Sequence, residues 1–351
     1  MTTMRKEEFT NAVKRIGVLT SGGDAPGMNA AVRSVVRSAI YRGIEVVGIR
    51  RGWQGLINGD MYRMTTSDVS HIINKGGTIL YTARSDEFRT REGRQKAYNN
   101  CRLFGLDGIV AIGGDGTFAG ALALSSEFPI SVVGIPGTID NDIGCTHYCI
   151  GYDTAANTAI EAIDKLRDTM QSHERCAVIE VMGHRAGNLA LYTGIATGAT
   201  AVLIPEEPWD IEEDVAEKIR SARLAGRTNF TIVVAEGARQ KADGSLDNEV
   251  VGNGSAGYQV GEMIHKTLGL DPRVTVLGHI QRGGSPSARD RVTATRMGFF
   301  AVDALANGKT NRVIVHQDGV IKDIDMVEGL SMKNELNEDE KIVVKVMTGI
   351  E

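Results

Sequence analysis

A chain of 351 residues exceeds what one hydrophobic core usually serves, so two domains of unequal size are expected. Apolar residues make up 42% and charged residues 24%, a globular balance, and a formal net charge of -5 leaves no global basic field for nucleic acid. No apolar run reaches the ~18 residues of a membrane span and no signal peptide opens the chain, so the expectation is a cytoplasmic protein with neither membrane nor nucleic acid as partner.

From the amino end, MTTMRKEEFTNAVKR reads as a polar lead-in. IGVLT (16–20) is a buried strand, 26–42 a helix, and IEVVGI (44–49) a second strand. GIVAIGG (108–114) and SVVGIP (131–136) are strands with a helix at 117–126 between them. Later strands are expected at 176–182, 200–205, 230–236, 273–280 and 312–317, with helices at 153–171, 185–197, 210–224, 254–268 and 287–306. Unbroken apolar strands alternating with helices point to an α/β protein whose mostly parallel sheets carry helices on both faces. NELNEDEK (334–341) reads as a solvated surface segment. GVLTSGGDAPGMNAAV and IEVMGHRAGNLALY share one order, strand, glycine turn, small-residue helix, as equivalent units of two domains would. Cys101, Cys145, Cys149 and Cys176 have no CxxC spacing and read as reduced, unpaired thiols.

Many of the 42 glycines sit in pairs just after apolar runs, which favours backbone-lined anion sites. In SGGDAPG (21–27), Gly22 and Gly23 allow a tight turn that presents N–H groups to an anion. In GGDGT (113–117), Gly113 and Gly114 end a strand, where open α/β sheets bind ligands. Gly116 and Thr117 lead into a helix, and Asp115 suits Mg²⁺, which takes few carboxylates and completes its shell with phosphate oxygens and water. In PGTIDND (136–142), Thr138, Asp140 and Asp142 follow a third strand. A carboxylate there can take the proton of an attacking hydroxyl, and a second can bind metal or raise the basicity of the first. Phosphoryl transfer needs mainly positioning and charge neutralisation, for which Arg84 is a candidate. The distal half adds His279 and Arg282 around a glycine-flanked turn, Arg175 and Arg273 at strand starts, and Glu236 at a strand end. Arginine forks match phosphate geometry.

These motifs, with EVMG and VLGHIQRGGSP and the DR pair at 290–291, resemble the phosphofructokinase family in order and over roughly residues 14–320. The resemblance implies two Rossmann-like three-layer domains, residues 1–150 plus 280–328 for nucleotide and 151–279 plus 329–351 for sugar phosphate, with the active site in the cleft between them and a homotetramer. It implies ATP as co-substrate, fructose 6-phosphate as acceptor, Asp140 as proton acceptor and Asp115 as the Mg²⁺ ligand. Gly23, Arg84, Ser85, Gly114, Gly116 and Thr117 would line the nucleotide site, with Trp53 beside the adenine. Thr138, Ile139, Asp140, Met182, Gly183, His184, Glu236, His279 and Arg282 would hold the sugar phosphate, and Arg175 and Arg273 would reach in from a neighbouring subunit. Pyrophosphate-using relatives typically carry aspartate in place of Gly116 and lysine in place of Gly137, so two glycines here favour ATP.

His184 departs from the pattern, since bacterial members usually have arginine there; Arg185 is one place on. Arg33, Arg37, Arg167 and Arg227 match effector-binding positions, but Thr200 replaces a metal-binding glutamate and Thr66 an arginine, so reduced effector regulation is expected. The competing expectations are a pyrophosphate- or sedoheptulose 7-phosphate-using transferase, a weakly active regulatory paralogue, and a lipid or NAD kinase with a similar GGDGT loop.

Overall fold

A computed structural model of the chain describes residues 11–241 and 255–348. The apolar runs become β1 (Arg15–Thr20), β2 (Glu45–Ile49), β3 (Met61–Met64), β4 (Gly108–Gly113), β5 (Ser131–Pro136), β6 (Cys176–Val181), β7 (Ala201–Leu203), β8 (Phe230–Ala235), β9 (Arg273–Val276), β10 (Arg312–Gln317) and β11 (Val320–Asp325). The helices are α1 (Met28–Tyr41), α2 (Gly52–Asn58), α3 (Arg91–Phe104), α4 (Asp115–Glu127), α5 (Tyr152–Ser172), α6 (Asn188–Thr197), α7 (Glu217–Leu224), α8 (Ala256–Leu268), α9 (Ala288–Ala306), α10 (Met326–Ser331) and α11 (Glu338–Thr348). Two compact units contain them. The first takes in the described parts of Met1–Ile139, Ile143–Asp153 and Arg282–Asn334; the second, those of Asp140–Asp142, Thr154–Gln281 and Glu335–Glu351.

The first unit holds one sheet in the order β11-β10-β5-β4-β1-β2-β3. Its inner pairs are parallel, and both edge strands, β3 and β11, run antiparallel. All six residues of β4 are buried, as a strand covered on both faces requires. On one flank α1 meets α9 closely: a Cβ on Gly298 would stand 2.6 Å from Ser34 Cβ, and the Ser34 hydroxyl donates to the Thr295 carbonyl. The chain leaves β1 for β2 on one side and later enters β4 on the other. This reversal opens a crevice at the carboxyl ends of β1 and β4, the place where such sheets bind ligands.

The second unit holds a wholly parallel sheet in the order β7-β8-β6-β9. Val181 pairs with Ala235 at its carboxyl edge, while Ala177 pairs with Arg273 near the other edge. β1–α1 and β6–α6 both form strand–turn–helix units, in line with the shared order in the sequence.

The structure departs from the sequence reading at several elements. The strand expected at 273–280 stops at Val276 and gives way to a 3-10 turn, Gly278–Arg282. The helix expected at 210–224 opens with a π turn, Glu212–Ala216. The 334–341 segment is not simply solvated: α11 starts within it, and Lys341 Nζ lies 2.9 Å from Glu207 with its side chain 15% exposed. β3, β11, α2 and α3 were not expected. The strand starts at 44 and 200 move to Glu45 and Ala201. The lead-in at 1–10 lies outside the described residues. All four cysteines are buried and outside any disulfide. Burial pushes the thiols of Cys101 and Cys176 up to about 12 and that of Cys145 to about 11, which makes them poor nucleophiles.

Candidate active site

Three strands of the first unit end at one place. Beyond β1, the Ser21 amide donates to the Ile112 carbonyl (3.0 Å) and the Thr117 hydroxyl donates to the Ser21 carbonyl (3.2 Å). Gly113 has no room for a side chain, because a Cβ would stand 2.4 Å from both Ser21 O and Thr117 Oγ1. Beyond β5, the Gly137 amide donates to the Gly113 carbonyl (3.0 Å). These bonds stitch the SGG, GGDGT and PGT turns together over the switch point. Gly22 takes φ +86°, a left-handed conformation that glycine adopts without strain.

The open side of this cradle belongs to α4. A Cβ built at Gly114 or Gly116 meets nothing within 4 Å. Asp115, the first residue of α4, is exposed, and the helix presents its unsatisfied N–H groups and positive dipole end there. Thr117 is buried in its bond to Ser21. The Thr82 hydroxyl donates to Gly22 O (2.6 Å), so the 82–85 segment lies against the first turn. Arg84 on that segment is exposed and makes no ion pair among the described residues. Arg282 also belongs to this unit. Its guanidinium donates to Asp24 O (3.1 Å) and lies over Gly23, where a Cβ would come within 2.6 Å of Nη1. The cradle thus presents backbone N–H groups with two arginines, Arg84 and Arg282, at its margin.

Two nucleotide-site candidates are otherwise engaged. The Ser85 hydroxyl donates to Gln54 Oε1 (2.7 Å) and accepts from the Phe88 amide (3.2 Å). Trp53 is 5% exposed and stacked on Phe88 at 4.5 Å, so the core, not an open ligand face, holds its ring. Thr138 is half-buried, and Ile139 is buried.

In the second unit, Asp140 is buried and Asn141 holds the left-handed conformation at φ 51°. Asn188, the first residue of α6, donates its amide group to the carbonyls of Asp140 (3.3 Å) and Asn141 (3.0 Å). Burial raises the Asp142 carboxyl above its ordinary range, while the His184 charge pulls it the other way. At the end of β6 the chain turns sharply, with Gly183 at φ 143° and His184 at φ 55°. Glu236 Oε1, beyond β8, accepts from both the Gly183 (3.2 Å) and His184 (2.7 Å) amides. Gln281 is wholly buried and accepts from the Met182 amide (2.9 Å). Met182, Gly183, His184 and Glu236 therefore share one edge of the sheet; His279 is exposed on the 3-10 turn after β9, and Arg185 is exposed.

Arg175 and Arg273 do not join that edge. Because the sheet is parallel, both stand at the amino ends of β6 and β9, about 20 Å of strand away at 3.3 Å per residue. Arg33 and Arg37 lie on α1 of the first unit. In the second unit Arg167 donates to Thr197 O and Arg227 is exposed. The Thr200 hydroxyl accepts from the Thr231 amide (3.1 Å). Thr66 accepts at its carbonyl from the Ser70 hydroxyl (3.0 Å).

The sequence reading missed Gln281, Asn188 and Thr82. A glutamine between His279 and Arg282 in a glycine-flanked turn was a signal for the first; no spacing marks the other two. Among the described residues, no group of three or more His, Cys, Asp and Glu side chains could hold a metal alone. A lone exposed carboxylate beside an anion cradle fits Mg²⁺ held jointly with phosphate oxygens and water.

The family model for phosphofructokinase matches residues 15–305. The chain belongs to the phosphofructokinase family. It is 50% identical over 327 residues to the ATP-dependent 6-phosphofructokinase of Halothermothrix orenii, covering 93% of this chain and 97% of the relative. It is likewise 50% identical to ATP-dependent 6-phosphofructokinase 1 of Thermus thermophilus, covering 93% and 96%. Among solved structures, the phosphofructokinase of Saccharomyces cerevisiae superposes with a TM-score of 0.83 at 33% identity, over 95% of this chain and 46% of that one. A pyrophosphate-dependent phosphofructokinase from Marinobacter aquaeolei, 20% identical, shares the fold at a TM-score of 0.81 over 96% and 92%. Within the phosphofructokinase family, the two glycines read from the sequence as leaving room for ATP differ in this chain. Gly116 faces open space, whereas a Cβ at Gly137 would meet Ile112 and Met28 at 3.2 and 3.3 Å.

Proposed function

We propose that this chain is an ATP-dependent 6-phosphofructokinase, moving the terminal phosphoryl group of ATP onto fructose 6-phosphate to give fructose 1,6-bisphosphate. The observation that carries the reading is the cradle at the switch point: stitched glycine turns, an open approach at Gly114 and Gly116, and the start of α4 facing that opening. The names of the relatives at 50% identity agree with it.

The cradle's N–H groups receive the nucleotide phosphates. Arg84 neutralises charge on the moving group without first leaving another carboxylate. Asp115 would hold Mg²⁺, which when bound supplies positive charge to the phosphates. Asp140 accepts the proton of the sugar hydroxyl as its oxygen bonds to the terminal phosphorus and ADP leaves. The Gly183–His184 turn, closed by Glu236, and Arg282 take part in holding the sugar phosphate. Arg175 and Arg273 serve a neighbouring subunit of a homotetramer in the cytoplasm. Thr200, tied into the sheet by its hydroxyl, offers no carboxylate to an effector-bound metal, and Mg-ADP activation is correspondingly weak.

Asp140→Ala should lower kcat by about 10²–10⁴ with ATP and fructose 6-phosphate while nucleotide binding persists. Unchanged turnover would remove Asp140 from its role. Pyrophosphate supplied in place of ATP should support little turnover in the same coupled assay.

A further inference from the structure

The second unit contains a cavity of about 410 Å³ that the reaction above does not use. It lies among the end of β7, the loop at 204–209, the helical segment at 214–218 and one face of α11. Its volume falls in the range of small-molecule sites, roughly 300–1,000 Å³.

Its polar wall carries four lysines and three carboxylates, Glu206, Glu207 and Asp214. Lys341 pairs with both Glu207 and Glu338 (2.9 Å each), Lys345 reaches Glu207 (3.5 Å), and Lys241 pairs with Glu213 (2.8 Å). Lys218 has no carboxylate within ion-pair distance among the described residues; its ammonium group donates to the Thr348 hydroxyl (3.2 Å). Burial pulls the Lys218 pKa down, and Asp214 opposes this from further away. A half-buried cation held by one neutral oxygen is a donor in need of an anion.

The other wall is apolar and includes Leu203, Ile204, Pro208 and Val344. Trp209 completes it, 3% exposed, and its buried indole N–H has no acceptor among the described residues. Cations on one side and an indole among aliphatic groups on the other match a molecule of two halves. A sugar phosphate or bare phosphate would leave the apolar wall unused.

We propose that this cavity binds a small organic anion with an apolar or aromatic body, its carboxylate or phosphate ester seated at Lys218 and Lys345 and its body against Trp209.

The chain has two tryptophans, so in full-length protein carrying Trp53→Phe the emission reports Trp209 alone. Phenyl phosphate, benzoate and inorganic phosphate are titrated separately. At least one of the aromatic anions should change the emission saturably, and the tighter of the two names the head group. Lys218→Met should weaken that binding at least about tenfold, the loss of one hydrogen bond to a charged group, whereas Lys218→Arg should retain it. The same melting temperature for both variants shows that the fold is kept. Absence of saturable change with either aromatic anion would overturn the site, and so would binding unaltered in Lys218→Met. Inorganic phosphate binding as tightly as the aromatic anions would reduce the cavity to a general attraction for ions.

Discussion

Two glycines of one short motif answer to different constraints. Gly113 is fixed by packing, since any Cβ collides with Ser21 O and Thr117 Oγ1 at 2.4 Å, whereas Gly116 faces open space. Gly113→Ala should therefore destabilise the protein by about 1–3 kcal/mol, the usual range for overpacking, seen as a lower denaturation midpoint. Gly116→Asp should melt as the parent does yet raise the KM for ATP at least tenfold, because a carboxylate would stand where phosphates enter; about 1.4 kcal/mol suffices for that factor. Equal loss of stability in both variants would refute the distinction. Asp142 supports a separate test. Its folded pKa is raised by burial, so its protonated form is the one the fold favours, and stability falls as pH rises from the unfolded value to that pKa and stays lowered above it. Asp142→Asn should melt above the parent at pH 7, and the difference should shrink as the pH falls through the folded pKa and vanish below the carboxylate's unfolded value near 3.8. A gap independent of pH would exclude the buried charge as its cause.

At the scale of elements, the sequence exposed what its residue types could not hide and little more. β4 and β8 were legible because both faces are covered and every residue is apolar or small. β3 and β11 escaped because each is an antiparallel edge, half-exposed, with polar residues in the run. α3 escaped because its core face reduces to Gly93, Ala97 and Cys101 in an otherwise polar helix. The glycine turns of the site were readable from composition; the burial of Trp53 and the backbone role of Glu236 depend on neighbours distant in sequence. The start of α6 is such a case. Glu206 accepts from the Gly187 amide (2.9 Å), and Asn188 then holds the carbonyls of Asp140 and Asn141. Asn188→Ala removes that hold without touching the Asp140 carboxylate. A lost hydrogen bond of about 1 kcal/mol should appear as a severalfold fall in kcat with the KM for ATP unchanged, and a kcat equal to the parent's would show that Asn188 does not position the segment.

At the scale of the whole molecule, the direction of one sheet decides how many chains complete a site. Parallel pairing puts Met182 and Glu236 at one edge of the second unit and Arg175 and Arg273 at the opposite edge, so a single chain cannot bring both arginines to its own Gly183–His184 turn by side-chain reach. This polarity was implicit in the sequence, since Arg175 precedes its strand and Arg273 opens its own, while Glu236 follows one. If the arginines act in a neighbour, two inactive variants should repair each other. Asp140→Ala subunits retain arginines to lend, and subunits carrying Arg175→Ala with Arg273→Ala retain the base. Each homomer alone should show a turnover at fructose 6-phosphate concentrations below the parent's KM reduced by at least about tenfold, the effect of losing a charge-assisted contact. Mixing, partial dissociation and reassembly should then restore part of the parent rate, because some interfaces pair an intact base with intact arginines. Reassembled mixtures that run only at the average of the two homomers would place each site within one chain and assign Arg175 and Arg273 to structure alone.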